Sequence, residues 1–275
     1  MKHYTLIGEK LGHSLSPQIH ERLFALRGRE AVYDLTEIPR SDTAREFPKL
    51  RETGGFNITI PYKTDIMPYL DGLDRSAQLY GAVNCVQVRD GLLTGYNTDC
   101  DGFLLSVKEL GAKLSGRVLL VGCGGVGRMI AIAAALEGAE LTIQVIESDL
   151  PLAEKTAAEI LTHRPEAKVT IVTAEQPHAE HYDLLVNATP VGMFPKVDAC
   201  PVADELIERS AAVFDVIYNP LETQLLKKAA ALGKPCENGL AMLVWQAVSA
   251  HRIWDGDEYT SQEVRGIIDE MEKLL

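Results

Sequence analysis

One stretch, Arg117-Val-Leu-Leu-Val-Gly-Cys-Gly-Gly-Val-Gly127, limits what this chain can fold into more than any other. Residues 118–121 form a short apolar run that reads as a buried strand. Gly122-x-Gly124-x-x-Gly127 follows, and residues 128–137, rich in Ala and Ile, read as a helix closed by Gly138. Strand, glycine turn and helix in that order are the context of a dinucleotide-binding loop. Gly122 allows the sharp turn, Gly124 lets a pyrophosphate approach the backbone, and Gly127 lets helix and strand pack closely. The helix N-terminus then points free amides at the phosphates. A glycine-rich loop without a ligand is the bland alternative.

The residues that follow extend the same unit. Residues 141–146 read as its second strand, and Glu147 at its end stands 20 residues beyond Gly127. An acid there accepts from ribose hydroxyls and repels a 2′-phosphate. Asp149 adds a second negative charge, and neither Lys nor Arg falls between Gln144 and Glu154. The pattern favours NAD over NADP. Residues 152–163 read as a helix, 169–172 and 184–186 as strands, 212–216 as a strand and 223–232 as a helix. This alternation predicts a parallel sheet covered by helices on both faces, with ligands at the carboxyl ends of its strands. The polar Asn187-Ala-Thr-Pro-Val-Gly-Met193 loop lies at such an end.

A length of 275 residues suits one large or two ordinary domains, and 46% apolar content supports real cores. No apolar run approaches the roughly 18 residues of a membrane span, and the N-terminus reads as an ordinary strand rather than a secretory segment. Five scattered cysteines without a Cys-x-x-Cys suit a reducing cytoplasm and argue against a structural zinc site. A net charge of −12 with no basic cluster argues against nucleic acid or anionic lipid as a partner.

The amino-terminal part carries polar residues in unusual places. A strand over residues 4–8 leads to Gly12-His-Ser-Leu-Ser-Pro17. Pro17 fits the first position of a helix to residue 26 and Ser16 its N-cap, which leaves Ser14 spare. The two hydroxyls could hold a carboxylate, or could merely serve the turn. Residues 31–35 read as a strand and 41–52 as a polar helix. In Phe56-Asn-Ile-Thr-Ile-Pro-Tyr-Lys63, alternation puts Ile58 and Ile60 on one face and Asn57 and Thr59 on the other. Pro61 should end that strand and Lys63 begin a short helix; a solvated lysine beside an edge strand is the alternative. Residues 82–88 and 92–96 flank Asp90-Gly91, a hairpin signal that sets Asn84 opposite Asn97. Thr98, Asp99 or Asp101 could cap the helix expected over 101–110. Residues 237–253 read as a long helix in which Gln246 is polar among apolar neighbours, and Thr260-x-x-Glu263 reads as the capping box of a final helix.

Taken in order, the segments Ser14-x-Ser16-Pro17, Asn57-x-Thr59-x-Pro61-x-Lys63, Gly81-Ala-Val-Asn84, Gly95-x-Asn97-Thr98-Asp99, Gly122 to Gly127, Asn187-Ala-Thr189-Pro-x-Gly-Met193 and Asn238-Gly239 to Gln246 resemble the shikimate dehydrogenase family, including its quinate/shikimate dehydrogenase branch. The resemblance spans nearly the whole chain. It implies an α/β fold: an N-terminal α/β substrate domain (residues 1–101, joined by about 238–275), a doubly wound Rossmann NAD(P)-binding domain (102–237), and C-terminal helices returning to the substrate domain, with the site in the cleft.

It further implies reversible NAD(P)-linked hydride transfer between shikimate and 3-dehydroshikimate, with Lys63 and Asp99 as the catalytic pair. Ser14, Ser16 and Tyr218 would hold the substrate carboxylate, and Thr59, Lys63, Asn84, Asp99 and Gln246 the ring hydroxyls. Gly122, Cys123, Gly124, Gly125, Val126, Gly127, Glu147, Asp149, Thr189, Val216 and Gly239 would contact the dinucleotide, with no metal. One departure stands out: where many relatives carry Asn-Arg-Thr, this chain has Glu147-Ser148-Asp149, as in the NAD-using quinate branch. Quinate as principal substrate, another two-domain enzyme acting on a different small acid, and a non-catalytic nucleotide sensor remain the alternatives. A homodimer and the direction of the reaction are left open.

Overall fold

The computed structural model describes every residue except His13 and Pro177. The chain forms two compact units, Met1–Gly102 with Leu243–Leu274, and Phe103–Met242. The first boundary falls one residue from the expected one. The second lies five residues later than the expected 238, inside a helix.

The first unit is built on a mixed six-stranded sheet in the order β2-β1-β3-β5-β6-β4. β1 (Lys2–Gly8) leads to α1 (Ser16–Leu26) and β2 (Ala31–Glu37), which pairs parallel to β1. The polar helix expected over 41–52 is broken into a 3₁₀ turn Arg40–Asp42, a single α-turn α2 (Thr43–Glu46) and a 3₁₀ segment Phe47–Glu52. Pro48 is the reason: it has no N–H to donate and its ring collides with the preceding turn. Phe47 and Leu50, three apart, both point into the core, as three residues per turn requires.

β3 (Gly55–Ile58) lies between β1 and β5, with every residue buried. The expected alternation therefore fails after Ile58, and Ile60 is 77% exposed. Residues 60–66 form successive turns, so Lys63 does not begin a helix. Two elements went unforeseen, β4 (Gly72–Leu73) and α3 (Arg75–Tyr80); Asp74 caps α3 by accepting from the backbone N–H groups of Ser76 and Ala77. β5 (Cys85–Arg89) and β6 (Leu92–Tyr96) form the expected hairpin, with positive φ at both Asp90 (53°) and Gly91 (76°). α4 (Thr98–Glu109) starts three residues earlier than expected.

The second unit carries a parallel six-stranded sheet in the order β12-β11-β10-β7-β8-β9. Its elements are β7 (Arg117–Val121), α5 (Gly125–Leu136), β8 (Glu140–Gln144), α6 (Leu150–His163), β9 (Lys168–Val172), β10 (Leu184–Asn187), α7 (Asp204–Glu208), β11 (Val213–Asp215), α8 (Gln224–Ala231) and β12 (Cys236–Glu237). Numbered within the unit this is the doubly wound order 3-2-1-4-5-6, whose direction reverses between β7 and β10. α7 and β12 are too short to register in a periodicity reading. α9 (Gly239–Asp255) runs on into the first unit, and α10 (Ser261–Glu272) ends the chain with the expected capping box, Thr260 accepting from the backbone of Glu263.

Apolar residues of β1, β3 and β5 pack under Phe47, Tyr62 and Ile66 on one face of the first sheet, and Tyr4, Phe24, Tyr33 and Trp254 pack on the other. Among the described residues, no helix is long and apolar enough to cross a membrane.

Candidate active site

Local folding brings the polar residues of the first unit together. The hairpin register pairs Cys85 with Tyr96, so Asn84 and the start of α4 meet at the sheet's end. The backbone N–H of Val83 donates to the Lys63 carbonyl at 2.8 Å, which seats the lysine beside Asn84. Asn97, not Thr98, Asp99 or Asp101, takes the helix-end duty: its Oδ1 accepts from Cys100 N at 3.4 Å. That frees Asp99 in the first turn of α4, where the free amides favour a negative charge.

Lys63 Nζ donates to Asp99 Oδ2 at 2.6 Å. Asn84 Nδ2 donates to the other carboxylate oxygen at 2.8 Å and to Thr98 Oγ1 at 3.0 Å, while Asn84 Oδ1 accepts from Thr98 N at 2.7 Å. The helix N-terminus thus decides which way the Asn84 amide faces. Gln246 is not the solvent-facing residue its helix could have made it: it is 8% exposed, with Oε1 3.4 Å from both Asn84 Nδ2 and Thr98 Oγ1. The pair Lys63–Asp99 is only partly covered, with side chains 29% and 17% exposed. An amine with a proton to give, held by a carboxylate that also faces hydrogen-bond donors, is equipped for proton transfer at a hydroxyl-bearing carbon.

Ser14 lies in the turn before α1, and Ser16 is the first residue of that helix. Leu15, rather than Ser16, is the N-cap residue and makes no side-chain cap. Ser14 is not spare: its Oγ accepts from Ser16 N at 3.2 Å and donates to Ser16 Oγ at 3.1 Å. Thr59 is held through its backbone, donating to Ile7 and accepting from Tyr62 at 3.0 Å each. Thr98 was not singled out as a site residue, yet its hydroxyl joins Asn84 to Gln246; its place beside Asp99 was the available signal.

In the second unit a cavity of about 590 Å³ opens at the carboxyl ends of β7, β8 and β10. Gly122, Cys123, Gly124, Glu147, Asp149 and Thr189 all line it. The three glycines differ in what a Cβ would meet. Gly122, at φ +91°, would place one 2.6 Å from Thr189 Cγ2; at Gly127 it would overlap the Gly122 carbonyl; at Gly124 it would meet nothing within 4 Å. Packing therefore demands the first and third glycines, whereas the second is left open toward the cavity, as close approach by a phosphate requires.

α5 begins at Gly125, three residues earlier than expected, so Gly125, Val126 and Gly127 present the unbonded N–H groups of its first turn. Glu147 and Asp149 form a 3₁₀ turn after β8, with Glu147 exposed. Gly239 and Val216 are not among the cavity's walls; a Cβ on Gly239 would overlap the Val216 carbonyl, so packing alone demands that glycine. Tyr218 lies beyond β11, with its hydroxyl pushed up by burial. Among the described residues, no group of three His, Cys, Asp or Glu could hold a metal.

Comparison with known proteins places these features in context. The family described as "Shikimate dehydrogenase substrate binding domain" matches residues 6–86. The shikimate dehydrogenase (NADP(+)) of Caldanaerobacter subterraneus subsp. tengcongensis is 37% identical over 273 residues, covering 96% of this chain and 97% of its own. The Thermus thermophilus shikimate 5-dehydrogenase, solved in complex with NADP(H) and shikimate, superposes with a TM-score of 0.86 at 32% identity over 98% of this chain and 99% of that one. A quinate dehydrogenase from Corynebacterium glutamicum, solved with NAD, gives 0.85 at 33% over 98% and 99%.

Proposed function

Because the chain belongs to the shikimate dehydrogenase family, we propose that it interconverts shikimate and 3-dehydroshikimate by reversible hydride transfer with a nicotinamide dinucleotide. The observation that carries this reading is the Lys63–Asp99–Asn84–Gln246 cluster in the first unit. The dinucleotide, when bound, supplies or accepts the hydride. Reduction of the ketone leaves a developing alkoxide, and Lys63 offers that oxygen both a positive charge and a proton. In the reverse direction the amine receives the hydroxyl proton. Asp99 holds the ammonium and accepts from the neighbouring ring hydroxyl, with Asn84, Thr59 and Gln246 supplying further polar contacts to the ring. Ser14 and Ser16 bind the substrate carboxylate with neutral donors, and Tyr218 is a further donor on the family pattern.

Our reading of the dinucleotide cavity is that it prefers NAD. Glu147 and Asp149 on its rim accept from ribose hydroxyls and repel a 2′-phosphate. The curated relative named above carries NADP(+) in its name, so this preference sets the present chain apart from it. A second reading takes quinate as the principal substrate, favoured by the likeness to the Corynebacterium enzyme; the paired serines favour shikimate, which has no hydroxyl on the carbon bearing its carboxylate. Initial rates with shikimate and quinate, each with NAD and NADP, decide both questions. Highest kcat/KM with shikimate and NAD is expected. A strong NADP preference would overturn the role given to Glu147 and Asp149, and no turnover in any combination would leave a nucleotide sensor or an enzyme acting on a different small acid.

A further inference from the structure

Asp215 ends β11 fully buried, and the chemistry above makes no use of it. Its Oδ1 accepts from Asn187 Nδ2 at 3.0 Å and from Ile217 N at 3.1 Å, and its Oδ2 accepts from Thr223 Oγ1 at 2.7 Å. Burial pushes the carboxyl up to about 6, against the pull of these bonds.

A carboxylate only accepts, so Asn187 has to turn its NH₂ group toward β11. Asn187 Oδ1 then faces the opposite way, where it accepts from Thr189 N at 3.0 Å and Thr189 Oγ1 at 2.7 Å. Thr189 Oγ1 in turn accepts from Val191 N at 3.1 Å. The Thr189 methyl closes on Gly122, the first glycine of the turn. A chain of oriented groups thus runs from a buried acid to the wall of the cavity.

We propose that Asp215 is a positioning residue of the dinucleotide site, acting through the orientation of the Asn187 amide on Thr189 and the Gly122 turn. The inference rests on reading that cavity as the dinucleotide site. Asparagine at 215 would keep its oxygen on the Ile217 N–H and so still accept from Asn187, but leucine has nearly the same shape and can neither accept nor donate. It would let the Asn187 amide face either way and weaken its hold on Thr189.

The test is the Kd of NAD and of NADP, read by calorimetry on the full chain at about pH 8.5, where the acid stays ionised, for wild type, Asp215→Leu, Asn187→Ala, the double variant and Thr223→Val. Asp215→Leu should weaken NAD binding about three- to tenfold, the worth of one buried hydrogen bond. In the Asn187→Ala background the same change should add less than about twofold, because its route is already cut. Thr223→Val removes a donor to the same carboxylate, and the cap of α8, without touching Asn187, and should leave Kd within about twofold. Saturated kcat should move less than Kd in Asp215→Leu. Multiplicative effects in the double variant, an unchanged Kd in Asp215→Leu, or an equal loss in Thr223→Val would each overturn the inference alone. Failure of the wild type to bind either dinucleotide would instead remove the cavity reading and the inference with it.

Discussion

Asp99 is shared between Lys63 and Asn84, one carboxylate oxygen to each, at 2.6 and 2.8 Å. The lysine is therefore held by an acid whose own position is set by the amide that a helix N-terminus orients. Lys63→Ala removes the proton and the charge offered to the reacting oxygen. Turnover should fall about 10²- to 10⁴-fold, while the Kd for NAD stays within about twofold. Stopped-flow absorbance of NADH and calorimetry measure the two quantities. Near-normal turnover would take Lys63 out of the mechanism.

Glu147 and Asp149 give a cofactor prediction. Replacing both, as Glu147→Ser with Asp149→Arg, removes the acceptors for ribose hydroxyls and supplies a cation for a phosphate. The ratio of kcat/KM for NADP over NAD should rise about ten- to hundredfold, the worth of one charge-assisted hydrogen bond. An unchanged ratio would show that the rim acids do not read the ribose.

The glycines of the turn should separate by role. At Gly127 a side chain has no room, and Gly127→Ala should cost about 1–3 kcal/mol of stability. At Gly124 the space is open, so Gly124→Ala should leave stability within about 0.5 kcal/mol. Dinucleotide Kd should nevertheless rise about tenfold there, because the added methyl stands where the pyrophosphate approaches. Urea melts and calorimetry on the two variants check the contrast.

A pH dependence follows from two histidines of the first unit. His20 Nδ1 and His251 Nε2 lie 3.0 Å apart in the core, and Tyr259 Oη lies 3.0 Å from His251 Nδ1 while donating to the Leu23 carbonyl. The Tyr259 oxygen must then accept from His251 Nδ1, His251 Nε2 must accept, and His20 Nδ1 must donate. That assignment is the one for two neutral rings, and burial keeps them neutral by holding His251 down to about 3 and His20 well below its usual value.

Above pH 6.5 neither the folded nor the unfolded chain protonates these rings. Below it only the unfolded chain does, so stability is lost as pH falls. Asp215, raised from 3.8 to about 6, acts in the opposite sense: the folded state takes up its proton first, so its contribution grows as pH falls toward 3.8. Asp101, also raised by burial, acts with Asp215, and His178, also lowered by burial, acts with the two histidines; three histidines outweigh two carboxyls, and urea melts between pH 6.5 and 5 should show a net decline. His251→Phe should flatten it by up to about 1.4 kcal/mol per pH unit, and Asp215→Asn should steepen it. A flat wild-type profile would contradict the neutral pair.

The doubly wound sheet was legible from residues alone, because parallel strands buried on both faces are written as continuous apolar runs, and the glycine spacing follows from the turn it must make. The hairpin that faces Asn84 toward Asn97 was equally local, since Asp90-Gly91 sets the register. Elements of two or five residues, such as β4, β12 and α7, were not, for they hold too little periodicity to see and exist because neighbours pair with them. The exposure of Ile60 likewise depended on which faces the sheet covers, whereas the break at Pro48 was written in the sequence by a residue that cannot donate within a helix.

What the chain's own order of residues decided was the type of each element and the identity of the groups with chemistry to offer. What folding decided was which of those groups touch. Asn97 took the helix end and released Asp99, the Thr98 backbone turned Asn84, and Asp215 turned Asn187. Each outcome depends on hydrogen-bond directions between residues far apart in the chain or on competition among neighbours for one donor, and no spacing rule encodes such a direction.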